Sequence, residues 1–376
     1  MSSKLYQGAL CDCFNKGLYL SDDENQVYKI DVKSMYPSIM IVFNLSPEST
    51  KLVERKPYTG DYRFDGRIIE VPDEKLGQLV VETAVEDSVS RRELLRFMRL
   101  REEYKRQGNK SAQLAVKIVM NSLYGYNGLR FARYGSFVVA AVVTSIGRFI
   151  MRLIIDTCKK HGVTLLECDT DGLMCYGRDV TALVNKAIHN TFNQYDHAHV
   201  LKVEYEPFDG ALVYASKNYV LKDGNRLIFK GSAFKGRHHP PICRVALERF
   251  VRALFNGEKI DDVWREFYDL KRFPFQNFIM EIEMGKDYDE YKGDALAKQL
   301  AAQLGMVGAF DQSIRFVKTV NGYVPLGVKK RQELERMLDY NYYRERIRSV
   351  VQRVIQPLVE QRTPKLYEFM CKRCRK

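Results

Sequence analysis

Little in this 376-residue sequence points to a membrane, to secretion or to a disulfide scaffold. The longest apolar run, Phe137 to Ile146, is too short to span a bilayer, is bracketed by Arg133 and Arg148, and reads as a buried helix. The first residues, Met-Ser-Ser-Lys-Leu-Tyr, lack the apolar stretch of a signal peptide. The eight cysteines are scattered, which fits reduced thiols better than a framework of bridges. Cys371-x-x-Cys374 is half of a zinc site with no second half nearby. Repeats and low-complexity tracts are absent. Acidic charge is in deficit: 47 Asp and Glu stand against 60 Lys and Arg, a net charge of +13 that calls for a polyanionic partner. With no basic amphipathic anchor, nucleic acid is favoured over a membrane surface. An apolar content of 45% with 12% aromatics excludes bulk disorder.

What is present has a clear order. Residues 27–31 read as a strand, and Pro37 suits the start of the helix that follows. Residues 41–88 are cut into short elements by Pro47, Pro57, Gly60, Gly66, Pro72 and Gly77. Helical patterns run from about Ser90 to Gly108 and from about Ser111 to Tyr126, joined by a turn at Gly108-Asn109, so a helical hairpin is expected. Between Arg91 and Lys117 it carries nine Lys or Arg against three Glu, an imbalance that suits a phosphate-facing surface better than a solvated face. An apolar helix near 133–160 precedes two strands, Thr164–Cys168 and Leu173–Tyr176, with Asp169-Thr-Asp-Gly172 at their turn. More strands are expected over 200–235, with a hairpin turn at Asp223-Gly224-Asn225. From about Pro240 the pattern is mostly helical through Leu358, with a strand at Ile314–Val320 and an amphipathic helix from Arg344 to Val359.

Two carboxylate clusters flank a basic helix. Asp31 ends the first strand, while Asp169 and Asp171, two apart, share a face if the strand continues through them. Converging carboxylates repel unless cations bind between them, and Mg²⁺, which takes a few carboxylates plus phosphate oxygens and water, is the natural occupant. Two such ions roughly 3.5–4 Å apart activate an attacking hydroxyl and stabilise a leaving pyrophosphate. A calcium loop fails, because Met174 and Val180 stand where Gly and Glu are needed; a plain polar turn stays open for this motif alone. On the second hairpin helix Lys117, Asn121 and Tyr124 share one face, and on the first Arg101 and Lys105 repeat the four-residue spacing. Lysine gives a phosphate a point charge and asparagine a hydrogen bond, the kind of clamp by which phosphoryl transfer is mostly catalysed.

In this order the motifs resemble the catalytic half of a family B DNA polymerase, most closely the archaeal replicative type. Asp31-Val-Lys-Ser-Met-Tyr-Pro-Ser-Ile39 resembles motif A, Lys117-x-x-x-Asn-Ser-x-Tyr-Gly125 motif B, and Asp169-Thr-Asp-Gly172 motif C. Lys217-Asn-Tyr219 resembles the Lys-x-Tyr element that grips primer-template, and Tyr6-Gln-Gly-Ala9 the junction between exonuclease and polymerase domains. Asn44-Leu-Ser-Pro47 and Asp339-x-x-Tyr-Tyr343 also look archaeal. The resemblance implies an α+β right-hand architecture: palm 1–88 and 128–240 with an antiparallel sheet, two-helix fingers 89–127, and a mostly helical thumb 241–376. It implies a DNA-directed DNA polymerase with catalytic Asp31, Asp169 and Asp171. Asp31, Asp171 and the Val32 carbonyl would be ligands of two Mg²⁺ ions, with Mn²⁺ a substitute. Arg101, Lys105, Lys117, Asn121, Ser34, Tyr36 and Tyr124 would hold the dNTP, Tyr36 leaving no room for a 2′-hydroxyl. Lys217, Tyr219, Lys230, Tyr6 and Gly8 would contact primer-template DNA.

Departures accompany the match. Glu167 and Cys168 stand before motif C where the family has an aromatic and a small residue, so an extra carboxylate beside the metals is expected. Ser232-Ala-Phe-Lys-Gly-Arg-His-His-Pro-Pro241 replaces the usual Arg-rich run. Neither His238-His239 nor His197-x-His199 brings further ligands at metal spacing. The exonuclease and N-terminal domains are missing from the sequence, which suggests a separate subunit of a split polymerase, or else an excised fragment. A cytoplasmic location follows, in a prokaryotic cytosol or a virus-infected cell. A sliding-clamp contact through Gln361 to Phe369 would be off the usual hydrophobic spacing. The rival readings are a non-catalytic DNA-binding or scaffold subunit descended from a polymerase, and a metal-dependent nuclease. Intact Asp31, Asp171, Lys117 and Asn121 argue against the first; the fingers' cations and Tyr36 argue against the second.

Overall fold

Strand patterns bounded by Gly and Pro, and helices opened by side-chain caps, assemble into two compact units in the computed structural model. The structure describes residues 6–129, 131–231, 239–292, 295–306 and 312–362. Residues up to Asn15 with Tyr19–Asp209 form the first unit; Lys16–Leu18 with residues from Gly210 onward form the second. The division between the two compact units falls at 209/210.

In the first unit a five-stranded antiparallel sheet has the order β1-β8-β9-β3-β10, with β1 Cys11–Cys13, β3 Gln26–Val32, β8 Thr164–Asp169, β9 Gly172–Gly177 and β10 Val203–Phe208. A second sheet, in the order β4-β7-β6-β5, is built from β4 Thr50–Lys56, β5 Arg63–Asp65, β6 Ile68–Asp73 and β7 Gly77–Thr83. Pro57, Gly60 and Gly66 thus fall in the connections of one sheet, while Pro72 lies within β6 and Gly77 opens β7. Helix α1, Met35–Val42, is almost wholly buried. The hairpin is α2, Val89–Arg106, capped by Ser88, and α3, Lys110–Asn127, capped by Asn109, with Gly108 at φ 69° between them. Lys105 and Arg106 in the last turn of α2 favour its dipole.

Helix α4, Phe137–Lys160, runs on well past Ile146. By length and composition it could cross a membrane, contrary to the expectation for the shorter run, and it is buried in the core of the first unit instead. Helix α5 spans Thr181–Phe192. Phe43, Phe64, Phe149 and Phe192 meet in an aromatic cluster that joins α1, β5, α4 and α5.

Arg91 ties the α2–α3 hairpin to α1. Its guanidinium donates to the Ile41 carbonyl at 2.7 Å, the Val42 carbonyl at 3.1 Å and the Asp87 carboxylate at 2.8 Å. These carbonyls end α1 and have no next helical turn to bond. Arg91→Ala strands the Val42 carbonyl and leaves the Ile41 carbonyl only the Asn44 N–H, and unfolding in urea is expected to show a loss of about 2–4 kcal/mol. A loss within experimental error would refute this anchoring role.

In the second unit β11 Gly210–Ala215, β12 Asn218–Asp223 and β13 Arg226–Lys230 form a meander, with β2 Gly17–Leu20 as the other edge beside β11. The turn before Arg226 has Gly224 at φ 55°, as the hairpin signal requires. Helices over Pro241–Asn256 and Tyr340–Arg362 pack through one apolar core. The region from Pro240 is mostly helical, as expected, but in place of one strand it carries a three-stranded sheet, β14 Met280–Met284, β15 Gln312–Thr319 and β16 Gly322–Pro325. Met-Glu-Ile-Glu-Met alternates apolar and charged residues with the period of a strand, so the signal for β14 is in the sequence. Tyr343 of the Asp339 motif is buried, its hydroxyl donating to the Phe278 carbonyl at 2.9 Å and accepting from the Lys318 N–H at 2.8 Å.

Candidate active site

Strand register decides which side chains can meet. Across the first sheet Cys11, Asp169, Gly172, Asp31 and Glu204 lie in one row, each opposite the next. Side chains in such a row leave the sheet on the same face. A Cβ placed on Gly172 would lie 2.2 Å from Asp31 Oδ1, so the carboxylate occupies the space that only glycine leaves open.

Asp171 reaches Asp31 by another route than the one expected. Thr170 has φ 64°, which breaks strand alternation, so Asp169 and Asp171 do not share a strand face. The turn is pinned on both sides: the Thr170 N–H donates to the Leu10 carbonyl at 3.0 Å and the Val32 N–H to the Asp171 carbonyl at 2.8 Å. The Asp169 carboxylate accepts from the Thr170 hydroxyl at 3.1 Å and from the Cys11 thiol at 3.7 Å. The electrostatic pair is therefore Asp31 with Asp171. Desolvation first, and then the Asp31 charge, raise the Asp171 pKa above the ordinary aspartate range, while Lys117 opposes them. Asp171 nonetheless keeps an exposed surface at the turn.

The donor set fits a cation of the Mg²⁺ kind. Among the described residues no three His, Cys, Asp or Glu side chains form a metal cage. The Asp171 carboxylate, held up by burial and by its neighbour Asp31, and an open face suit an ion that takes most of its ligands from phosphate and water.

Cations and tyrosines surround the pair. Lys117 and Asn121 are exposed on α3, and Lys105 is exposed on α2. Arg101 Nη1 donates to Ser34 Oγ at 2.9 Å, and Ser34 itself has φ 47° at the mouth of α1. The Tyr36 and Tyr124 rings lie 4.2 Å apart, inclined by 31°. Burial is the main reason both phenols stay protonated well above the ordinary tyrosine range, and the Asp171 charge adds to this at Tyr36.

Of Tyr6 and Gly8, expected to touch DNA, Tyr6 is buried and Gly8 half-buried. Tyr6 is only 7% exposed, and its hydroxyl lies 2.4 Å from where Gly128 would carry a Cβ. Arg148 donates to the carbonyls of Gln7 at 3.1 Å, Gly8 at 2.9 Å and Pro72 at 2.9 Å. It is a residue that sequence reasoning takes only as the charged end of an apolar run. An arginine directly after the apolar stretch Phe137 to Gly147 of this helix is the signal that could have found it. Cys11, beside Asp169, was also missed and leaves no motif signal.

Glu167 is 2% exposed and lies one pleat inward, between Cys13 and Met174, not at the open carboxylate edge where an extra metal-side acid was expected. Cys168 faces the opposite, apolar side, and burial pushes its thiol up to about 12. In the second unit Lys217 is exposed in a tight turn at φ 59° and Lys230 is exposed opposite Tyr219. Tyr219 is only 4% exposed, so its ring offers DNA little surface. His238, the Cys371 and Cys374 pair and most of the Gln361 to Phe369 stretch lie outside the described residues.

Comparison with known proteins agrees with this geometry. The sequence model of DNA polymerase family B matches residues 1–358. The DNA polymerase of Thermococcus sp. (strain 9oN-7) is 27% identical, covering 74% of this chain and 38% of the relative. DNA polymerase 1 of Saccharolobus solfataricus is 24% identical over 94% of this chain and 42% of its own length. The structure of the family B DNA polymerase from Pyrobaculum calidifontis matches in fold with a TM-score of 0.65 at 19% identity, covering 93% of this chain and 46% of that one. The chain thus spans less than half the length of these relatives. With a family match over nearly its whole length and the α+β fold of such an enzyme, the chain belongs to DNA polymerase family B.

Proposed function

We propose that the chain carries out DNA-directed DNA synthesis, adding a dNTP to a primer 3′-hydroxyl with release of pyrophosphate. The observation that carries this reading is the Asp31–Asp171 pair at the β8–β9 turn end of the sheet, within the field of Lys117. Asp31, Asp171 and the Val32 carbonyl would hold two Mg²⁺ ions, or Mn²⁺ in their place. Bound there, the metals would supply Lewis-acid stabilisation of the phosphoryl oxygens and a more acidic primer hydroxyl. Asp169 keeps the turn in shape through Thr170 and Cys11. Lys117 and Asn121 from α3, with Arg101, Lys105 and Ser34 facing from the α2 side, would neutralise and orient the triphosphate. Tyr36, backed by Tyr124, would bound the sugar.

Lys217, Lys230 and the strand bearing Tyr219 would follow the primer-template backbone in the second unit. The palm, fingers and thumb division, an archaeal-type cytosolic setting and a sliding-clamp contact belong to the same proposal.

Primer extension by the purified chain, with and without Asp171→Ala, separates this reading from its rivals. Extension that requires dNTPs, Mg²⁺ and Asp171 is expected. Asp171-dependent degradation without dNTPs would make the chain a nuclease, and DNA binding with no extension would make it a scaffold. Lys117→Ala removes a charge-assisted contact of about 1.5–3 kcal/mol, so kcat/KM for the dNTP should fall by roughly 10–100-fold. An unchanged value would remove Lys117 from the site.

A further inference from the structure

A cavity of about 650 Å³ opens against α2 on the flank next to the Arg101 register, within the size range of small-ligand sites. Its lining is cationic: Lys33, Arg99, Arg101 and Arg106 are joined by Lys202. Glu102 and Glu103 are the acids of the wall. Lys33 is already engaged, at 2.5 Å from Glu102 and 3.9 Å from Glu204. Among the described residues no carboxylate lies within ion-pair distance of Arg99, Arg101, Arg106 or Lys202. The Nε of Arg101 is buried without a hydrogen-bond partner. His197, at φ 60°, and His199 bring two imidazoles to the same wall. Five cations against the two carboxylates of Glu102 and Glu103 leave the concavity with a surplus of positive charge that an entering anion would relieve.

We infer that this cavity is a second anion site, which takes a diphosphate group. Two linked phosphates offer acceptors to several guanidinium forks at once, which a single carboxylate cannot. Arg101 lines the cavity and also holds Ser34, so it stands between this site and the proposed nucleotide site. That the natural source is the pyrophosphate released by synthesis rests on the proposed function; diphosphate binding itself does not.

Titration calorimetry of the full chain with inorganic pyrophosphate, in EDTA at low salt, tests the site apart from the metal-dependent chemistry. One equivalent should bind, Asp171→Asn should bind as well as wild type, and Arg106→Ser with Lys202→Ser should weaken binding at least tenfold. Arg99→Ser provides a second, single-site variant that should weaken binding in the same direction. Displacement by dATP under these conditions would assign the site to a nucleotide tail, and failure of dATP to displace would assign it to free pyrophosphate. No metal-independent binding, or binding that these variants leave unchanged, would overturn the inference. Displacement by an equimolar single-stranded oligonucleotide would overturn it in favour of a groove for DNA backbone. Binding that persists in a chain unable to extend primers would leave this site standing while the polymerase reading fell.

Discussion

Asp171→Asn should lower single-turnover nucleotide incorporation on the order of 10³-fold while leaving primer-template affinity near wild type. Asparagine keeps the shape of the side chain and removes its charge, so the loss reports electrostatics rather than packing. The substitution also relieves an existing conflict: burial and the neighbouring Asp31 charge hold the Asp171 pKa above the ordinary aspartate range. For a carboxyl whose folded pKa is raised, the associated stability is present below its unfolded pKa and is lost as pH rises through the folded value. At neutral pH the ionised group therefore opposes folding of the metal-free chain, and Asp171→Asn should melt no lower than wild type. A variant that kept its rate within tenfold, or that lost its rate only by unfolding, would contradict the assigned role.

Tyr36→Ala should collapse discrimination against ribonucleotides. The ring is fixed from two sides. It stacks on Tyr124 with centroids 4.2 Å apart, and its edge would lie 3.3 Å from a Cβ on Gly147 of α4. Gly147 thus gives α4 the close approach that seats the ring, and Tyr6 supports Tyr124 from behind. A wall held this firmly cannot yield to an added 2′-hydroxyl without a packing penalty of about 1–3 kcal/mol. Removing the wall should narrow the dNTP-to-rNTP ratio of kcat/KM by roughly 10–100-fold. Tyr36→Phe should keep most of the discrimination, because the exclusion is steric and the phenol stays neutral. If Tyr36→Ala selects deoxynucleotides as well as wild type, the gate lies elsewhere.

How much of this was legible depended on whether the deciding interaction was local. The α2–α3 hairpin follows from helical periodicity and the Gly108-Asn109 turn, both readable within a few residues. The β8–β9 hairpin was likewise placed, but its chirality was not. Nothing in Asp-Thr-Asp-Gly announces a left-handed threonine; the resemblance named Asp31 and Asp171 as the principal ligands, but not the turn that takes Asp169 and Asp171 off a shared strand face. The β4–β7 sheet escaped assembly because β4 pairs with β7, with the two short strands β5 and β6 lying between them in sequence. Tyr6 and Tyr219 were read as DNA contacts because a motif gives residue type and order without burial; their exposures of 7% and 4% are tertiary outcomes. The cavity beside α2 was invisible for the same reason: its cations come from α2, from the end of β3 and from the segment before β10.

The central claim is that this chain's own carboxylate pair transfers nucleotides as a template directs. Single-nucleotide incorporation by the purified wild-type chain, on a primer-template with each of the four bases in turn at the coding position, tests it most directly. The account predicts Mg²⁺-dependent addition of the complementary deoxynucleotide, with one pyrophosphate released per nucleotide added. Absence of addition in Mg²⁺ and in Mn²⁺, even with a candidate exonuclease-domain partner supplied, or addition indifferent to the template base, would contradict it.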